Sequence, residues 1–148
     1  MQTSVVMATY NGESFIAEQL RSILEQDCPP TQIVVSDDHS RDRTLDVVQE
    51  IRAGDPARFV VQENPNARGY TNNFKAALAR ASGEIVFFCD QDDIWRADKI
   101  RLMVEAFERS DALLICHDFE VFFDDPAATI PSYFANLDAN GQIGRAHV

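Results

Sequence analysis

Long apolar runs are absent from this sequence, and its first residues do not have the pattern of a signal peptide. No stretch approaches the roughly 18 consecutive apolar residues that a membrane span needs. Residues 1–10 are too few for a signal peptide and lack its basic flank. We therefore expect a cytoplasmic protein without a membrane span.

Cysteine is scarce as well. The three cysteines, Cys28, Cys89 and Cys116, are odd in number and widely spaced, which argues against a disulfide framework or a zinc site. Two of them, Cys89 and Cys116, lie inside apolar runs. We expect reduced thiols in the core.

Basic residues are too few for a nucleic-acid surface. The chain has 13 lysines and arginines against 24 aspartates and glutamates, a formal net charge of −11, whereas phosphate binding needs clustered basic side chains. No nucleic-acid partner is therefore expected. An anionic ligand would need a cation as intermediary.

What the chain does have is the composition of one globular domain. Its 148 residues are 45% hydrophobic and 25% charged, which is far from a disordered or fibrous composition. A chain of this size buries roughly 68–70% of its unfolded surface on folding. We expect one domain with a substantial core.

Short apolar, β-rich runs alternate with helical patterns along the chain. The runs occupy residues 4–8, 33–36, 59–62, 84–89 and 112–116. Because they are continuous, they are typical of strands covered on both faces of a largely parallel sheet. Apolar residues at helical spacing predict helices around residues 15–24, 45–51, 74–81 and 100–107. Gly83 is expected to end the third. The alternation indicates a Rossmann-like α/β fold with helices on both faces.

Polar and acidic residues directly follow three of these runs. In open parallel sheets, ligands bind outside the carboxyl ends of the strands, where the strand order reverses. The residues in question are Ala8, Thr9 and Tyr10 after the first run, Asp37 and Asp38 after the second, and Asp90, Asp92 and Asp93 after the fourth. We expect the carboxylates of the second and fourth strands to converge on one edge.

Asp90, Asp92 and Asp93 place three carboxylates within four residues, where they repel one another. A divalent cation would neutralise them, and Mg²⁺ or Mn²⁺ is normally held by one or two carboxylates plus diphosphate oxygens. The alternative is a solvated acidic turn that caps the next helix. The apolar run directly before the turn favours the metal.

Other residues of this edge have two interpretations each. Asp37 and Asp38 could cap the following helix, or one of them could accept hydrogen bonds from a ribose or a base. Tyr10 could stack on a nucleobase or pack at the helix entry. Arg68 could reach a phosphate or be an ordinary exposed loop residue.

Several segments match a known family in order and in rough spacing. They are residues 4–12, residues 33–40 with Asp42 and Thr44, residues 81–86, and residues 88–95 with Asp98 and Lys99. The chain from residue 4 to about residue 117 thus resembles the family 2 glycosyltransferases of the GT-A fold. The Asp-Gln-Asp-Asp-Ile-Trp form is similar to rhamnosyltransferase-like bacterial enzymes that build cell-surface polysaccharides.

The resemblance implies roles for the matching residues. The donor site would consist of Ala8, Thr9, Tyr10, Asp37, Asp38, Arg68, Asn73, Asp90 and Asp93. Ala8, Thr9 and Tyr10 would border the base and Asp38 would contact it. Asp90 and Asp92 would form the family's Asp-x-Asp motif, with Asp92 as the main ligand of Mg²⁺ or Mn²⁺. The implied donor is a UDP- or dTDP-sugar, and the implied acceptor is a saccharide or a lipid-linked saccharide, with inversion of configuration.

The resemblance ends before the acceptor half. Family members continue with a strand that carries the catalytic carboxylate, and nothing after Val121 resembles it. We expect residues 1–121 to form the nucleotide-sugar-binding half and residues 122–148 a loosely structured tail that begins the acceptor half. The catalytic base is expected beyond residue 148. Peripheral association of the full enzyme with the inner face of the membrane is compatible with this organisation.

Two other functions stay open at this point. A receiver domain shares the small α/β architecture and a magnesium site, but its acidic pair follows the first strand, which here ends in Thr9, Tyr10 and Asn11. A non-catalytic or truncated nucleotide-sugar-binding module would have the same donor residues without the transfer activity.

Overall fold

The computed structural model describes residues 1–64, 69–121 and 129–130. Strands and helices alternate along this part of the chain. Their bounds are β1 Thr3–Thr9, α1 Ile16–Leu24, β2 Gln32–Asp37, α2 Thr44–Arg52, β3 Phe59–Glu63, α3 Tyr70–Leu78, β4 Ile85–Cys89 and α4 Lys99–Glu108. The α/β fold class predicted from the sequence is confirmed.

The four strands form one parallel sheet in the order β3-β2-β1-β4. β1 pairs with β2 on one side, with Thr9 opposite Asp37, and with β4 on the other, with Met7 opposite Cys89. The chain therefore adds β2 and β3 on one side of β1 and then crosses to add β4 on the other. That reversal of strand order lies at β1, which is where open parallel sheets bind ligands.

Helices cover both faces of the sheet, as the continuous apolar runs predict. One core contains Val5 and Met7 of β1 together with buried residues of α1, α2 and α4. The smaller core on the opposite face contains Val6 and Ala77 of α3. Since successive side chains of a strand point to opposite faces, β1 presents apolar side chains to both cores. β1 is also an inner strand of the sheet.

The predicted fifth strand is wrong. Residues 112–116 form no strand in the structure, and Leu113 is fully exposed. An apolar run predicts burial, but a strand also requires a neighbouring strand for its backbone groups. Val121 and Ile130 form an isolated antiparallel bridge instead.

All three cysteines are free, yet Cys28 and Cys116 are exposed and only Cys89 is a core thiol.

The third helix also differs from its prediction, because α3 ends at Leu78 and not at Gly83. Gly83 has a packing role instead. A Cβ atom at this position would lie 2.5 Å from the backbone nitrogen of Ser4. Gly83 thus allows the chain entering β4 to pass close to β1.

The chain divides into two compact units, Met1–Ser110 and Asp111–Val148. The first unit contains the whole sheet. The boundary that the sequence predicts at residue 121 stays a prediction, since most of the following residues lie outside the described ranges. Among the described residues, no helix has the length and apolarity required to cross a membrane.

Candidate functional site

The carboxyl ends of β1, β2 and β4 lie side by side at one edge of the sheet. Asp38 N donates a hydrogen bond to the Thr9 carbonyl at 2.8 Å, and Asn73 Nδ2 donates to the same carbonyl at 3.1 Å. The Thr9 carbonyl therefore brings together β1, β2 and α3. These contacts place five predicted residues, from Ala8 to Tyr10 and at positions 38 and 73, around one strand end.

Asp37 faces inward. Its carboxylate is fully buried, and its oxygens accept hydrogen bonds from Thr9 Oγ1 at 2.8 Å, Ser40 N at 2.7 Å and Ser40 Oγ at 2.6 Å. A buried carboxylate requires such donors, because an unpaired one is costly. This bonding favours a role for Asp37 in shaping the loop after β2.

Asp38 is different, because only one of its carboxylate oxygens is used. Its side chain is 7% exposed, and Oδ2 accepts a hydrogen bond from Gly69 N at 2.8 Å. Oδ1 is buried and has no hydrogen-bond partner among the described residues. Buried acceptors without a donor are rare in native structures. Asp38 Oδ1 is therefore available to a ligand that offers an N–H or O–H group.

Asn73 repeats this arrangement on α3. The side chain is 2% exposed, and its Nδ2 is bound to the Thr9 carbonyl. Its Oδ1 is buried without a partner in the described part of the chain. The strand end thus presents two unused acceptors on two different elements.

Tyr10 presents its ring to solvent, with 54% of the residue exposed. Both the backbone N–H and the backbone carbonyl of Tyr10 are hydrogen-bonded to the Gln91 side chain. Tyr10 N donates to Gln91 Oε1 at 2.9 Å, and Gln91 Nε2 donates to the Tyr10 carbonyl at 3.1 Å. An aromatic ring on a fixed backbone is suited to stacking on a planar ligand.

The loop after β1 is also tied to the loop after β2. Asn11 has a φ of 46°, a conformation that asparagine tolerates better than most residues. Its backbone nitrogen donates to Ser40 Oγ at 2.8 Å, and its Oδ1 accepts from Arg41 N at 2.9 Å. Gly12 N donates to Thr44 Oγ1 at 2.7 Å. The two loops therefore form one connected rim.

Asp90, Asp92 and Asp93 are exposed residues of the loop after β4, and the Asp90 carboxyl group is partly shielded from solvent. None of their carboxylate groups makes a hydrogen bond or an ion pair with another residue that the structure describes. Burial raises the pKa of Asp90, and the charges of Asp93 and Asp92 raise it further. The raised pKa shows that the ionised form of Asp90 is disfavoured where it stands.

Lys99 is a cation that interacts electrostatically with Asp93 of this loop. Its Nζ lies 3.7 Å from the centre of the Trp95 ring, which is a cation–π contact. Burial lowers the pKa of Lys99, while the charge of Asp93 opposes that shift. The charge of Lys99 therefore acts on Asp93, and it is not among the groups that shift the pKa of Asp90.

The donor set of the acidic loop fits a hard divalent cation. In the described part of the chain, no three His, Cys, Asp or Glu side chains are arranged as a complete metal site. Magnesium-type cations need only one or two protein carboxylates when phosphate oxygens complete the shell. Carboxylates without partners at Asp90 and Asp92 meet that requirement.

Arg68 and Gln91 are the residues of this edge where the sequence prediction and the structure do not meet. Arg68 lies outside the described residues, so its predicted role stays a prediction. Gln91 was missed, although it stands inside the acidic motif and its amide connects two loops of the edge. The Asn-Gly pair at residues 11–12 was the available signal for a tight backbone approach there.

A parallel sheet with helices on both faces and an acidic carboxyl edge defines a protein of the Rossmann-like α/β class. The comparison with known proteins then identifies the group. The chain belongs to glycosyl transferase family 2, whose family model matches residues 4–145. The family and the GT-A type of fold predicted from the sequence are confirmed.

Several curated relatives are bacterial glycosyltransferases. An uncharacterized glycosyltransferase of Nostoc sp. is 32% identical over 123 residues, which is 82% of this chain and 37% of the relative. The dTDP-rhamnosyl transferase RfbG of Shigella flexneri is 37% identical over 135 residues, which is 88% of this chain and 44% of the relative. The chain thus spans less than half the length of these relatives.

Solved structures give the same result. The TarS fragment 1–349 of S. aureus in complex with UDP-GlcNAc superposes with a TM-score of 0.67 at 34% identity, covering 74% of this chain and 32% of that one. The mannosyltransferase PcManGT of Pyrobaculum calidifontis, in complex with GDP-Man and Mn²⁺, has a TM-score of 0.64 at 32% identity, with 70% and 31% covered.

Proposed function

We propose that this chain is the donor-binding part of a glycosyltransferase. It binds a UDP- or dTDP-sugar at the carboxyl edge of the sheet, through a divalent cation at Asp90 and Asp92. The sugar is transferred, with inversion, to a saccharide or lipid-linked acceptor in polysaccharide synthesis. Two relatives support the substrate class, because one is a dTDP-rhamnosyl transferase and another was solved with UDP-GlcNAc. Membership of glycosyl transferase family 2 sets the receiver-type alternative aside.

The observation that carries this proposal is the unused oxygen of Asp38. A buried carboxylate oxygen needs a donor, and the N3–H group of uracil or thymine supplies one. Cytosine has an acceptor in place of this donor, because its N3 atom carries no hydrogen. Asn73 Oδ1 adds a second acceptor next to the same strand end, and the exposed Tyr10 ring offers a stacking surface.

The cation follows from the charge of the acidic loop. Asp90, Asp92 and Asp93 oppose a bare diphosphate, so a cation between protein and ligand turns repulsion into attraction. When bound, it would stabilise the departing nucleoside diphosphate. The Mn²⁺ that accompanies GDP-Man in PcManGT supports this assignment.

Calorimetric titration tests the base and the cation together. With Mn²⁺ present, UDP and dTDP should bind more tightly than CDP, and EDTA should remove most of the affinity for all three. In Asp38→Asn, the amide can accept from Gly69 N and present its NH₂ group to the ligand, so the preference should shift toward CDP. Equal affinities for UDP and CDP in both proteins would contradict the role of Asp38. Equal affinities with and without EDTA would contradict the metal.

A further inference from the structure

The side chain of Gln91 makes an unusual contact for a residue in an acidic loop. Its carboxamide pairs with the backbone of Tyr10 as a neighbouring strand would, accepting from Tyr10 N at 2.9 Å and donating to the Tyr10 carbonyl at 3.1 Å. β1 and β4 pair directly only as far as Met7 and Cys89. Gln91 therefore extends the connection between these two strands beyond the end of the sheet.

Gly12 provides the space for this contact. A Cβ atom at Gly12 would lie 2.3 Å from Gln91 Oε1 and 2.5 Å from Gln91 Cδ. Contacts that short do not occur, so any larger residue would displace the amide. The nitrogen of Gly12 is itself fixed by Thr44 Oγ1 at 2.7 Å. The loop at residues 10–12 is thus fixed at Gly12 and packs directly against the Gln91 amide.

Gln91 lies between Asp90 and Asp92 in the chain, so its backbone carries the two proposed cation ligands. Within the described ranges, its amide is the hydrogen-bonded link between residues 10–12 and residues 90–93. Through these two hydrogen bonds, a displacement of Tyr10 acts on the segment that carries the carboxylates, and a displacement of that segment acts on Tyr10.

We propose that Gln91 is a positioning residue that couples the nucleobase side of the site to the cation side. This inference rests on the proposed function, since it assumes a base near Tyr10 and a cation at Asp90 and Asp92. A nucleobase bound near Tyr10 restrains the loop at residues 10–12. Because the Gln91 amide is hydrogen-bonded to this loop, the restraint extends to the segment that carries Asp90 and Asp92. Coupling between two sites is reciprocal, so the cation tightens the binding of the base in the same proportion.

Uridine is the probe that isolates this coupling, because it has the base but no phosphate to touch the cation. Mn²⁺ affinity is measured from the electron paramagnetic resonance signal of free Mn²⁺, with and without saturating uridine. In the parent chain, uridine should tighten Mn²⁺ binding by at least about fivefold, the lower end of typical coupling. In Gln91→Ala, both ligands should still bind, and this ratio should fall to about one.

Gly12→Ala should displace the Gln91 amide and so break the same contact. The ratio of Mn²⁺ affinities with and without uridine should then also fall to about one. Gln62→Ala is the matched control. The Gln62 amide also joins two elements, through Ser36 Oγ and the Ala76 carbonyl, but it does not touch the acidic loop, so the ratio should persist. Thermal melts verify that all variants are folded.

The outcomes separate this inference from the function on which it rests. A parent chain that binds neither Mn²⁺ nor UDP would contradict the proposed function. If the parent chain binds both ligands and the uridine effect on Mn²⁺ affinity is the same in Gln91→Ala, only the coupling role of Gln91 is overturned. A parent chain that binds both ligands without any coupling would overturn it equally.

Discussion

At the level of single residues, the acidic side chains of the carboxyl edge divide according to their hydrogen bonds. Asp37 uses both oxygens inside the protein, and Asp38 uses one. Asp90, Asp92 and Asp93 use none with any described residue. Since a carboxylate that already accepts several hydrogen bonds has little left for a ligand, the acids with oxygens still available to a ligand are those at positions 38, 90, 92 and 93.

Asp92→Asn should abolish cation-dependent binding of UDP and leave the fold intact. The charge of Asp92 contributes to the raised pKa of Asp90, so its removal relieves repulsion in the metal-free protein. We expect the affinity for UDP in Mn²⁺ to fall at least about tenfold. The melting temperature in EDTA should stay the same or rise.

Glu108→Gln is the control for this variant, because it removes one negative charge from the exposed end of α4. It should change neither measurement. A large loss of thermal stability for Asp92→Asn in EDTA would mean that Asp92 is a structural residue.

At the level of elements, Asp42 connects the loop after β1 to the start of α2. Its oxygens accept from Thr44 N at 3.0 Å and from Glu13 N at 3.1 Å. Burial acts to raise the pKa of Asp42, but the hydrogen bonds from Thr44 and Glu13 outweigh it and hold this pKa below its ordinary value of 3.8. A lowered pKa in the folded state stabilises the fold above pH 3.8, and that contribution is lost as the pH falls through the lowered value.

Asp42→Ala should therefore lower the free energy of unfolding at pH 7 by about 0.5–2 kcal/mol, as for other residues that bind a helix N-terminus. Denaturant titrations at several pH values should show this deficit shrinking below pH 3.8. Asp46→Ala removes an exposed carboxylate from the same helix and should change stability by less than about 0.5 kcal/mol. An Asp42→Ala deficit that does not depend on pH would contradict the charge-based explanation.

The approach of β4 to β1 gives a second prediction at this level. Gly83→Ala would place a Cβ atom 2.5 Å from Ser4 N and 2.7 Å from the Thr3 carbonyl carbon. Backbone atoms of a central strand cannot move cheaply, so we expect a loss of about 1–3 kcal/mol. In Gly54→Ala, the nearest atom lies 3.5 Å away, and stability should hold or rise by up to about 1 kcal/mol. Equal thermal stabilities of the two variants would contradict the packing role of Gly83.

Continuous apolar runs are enough to predict β1 to β4, because the runs alternate with amphipathic helices along the chain. Burial on both faces is nearly complete only in the inner strands β1 and β2, whereas Phe88 of the edge strand β4 is exposed. The same signal fails at residues 112–116, where the run is apolar but no strand pairs with it. The helical spacing of apolar residues likewise misplaces the end of α3, because the sequence contains no stop signal between Leu78 and Gly83. Pairing and packing depend on residues far away in the chain, which local patterns do not contain.

The candidate site is predictable to the level of the strand ends and no further. The position of Asp38 and the acidic loop follows from the order of strands and loops. The inward orientation of Asp37 depends on Thr9 and Ser40, and the role of Gln91 depends on Tyr10 and Gly12. Those contacts cross between separate strands, so nothing in the local sequence around position 37 or 91 indicates them.

At the level of the whole molecule, the net charge of −11 determines how salt affects binding. Without a cation, the protein repels UDP, and screening should weaken that repulsion. Raising the ionic strength from about 0.01 to about 0.15 M shortens the Debye length from about 30 to about 8 Å. In EDTA, the residual affinity for UDP should therefore rise with salt, which calorimetry can measure. Uridine is uncharged and should show no such dependence; a fall in UDP affinity with salt would indicate a basic contact at the site.

The central position of β1 also determines the order in which the site can assemble. β2 joins β1 across one helix, whereas β4 joins it only after β2, α2, β3 and α3 have intervened, with Thr3 opposite Ile85. The entropic cost of closing a loop grows with its length, and distant parallel pairing is slow. A chain in which β1, β2 and β3 have already docked therefore has the Asp38 side of the edge but lacks the acidic loop. We therefore expect β4 to pair with β1 last, and we expect nascent or partly folded chains not to bind the cation proposed at Asp90 and Asp92.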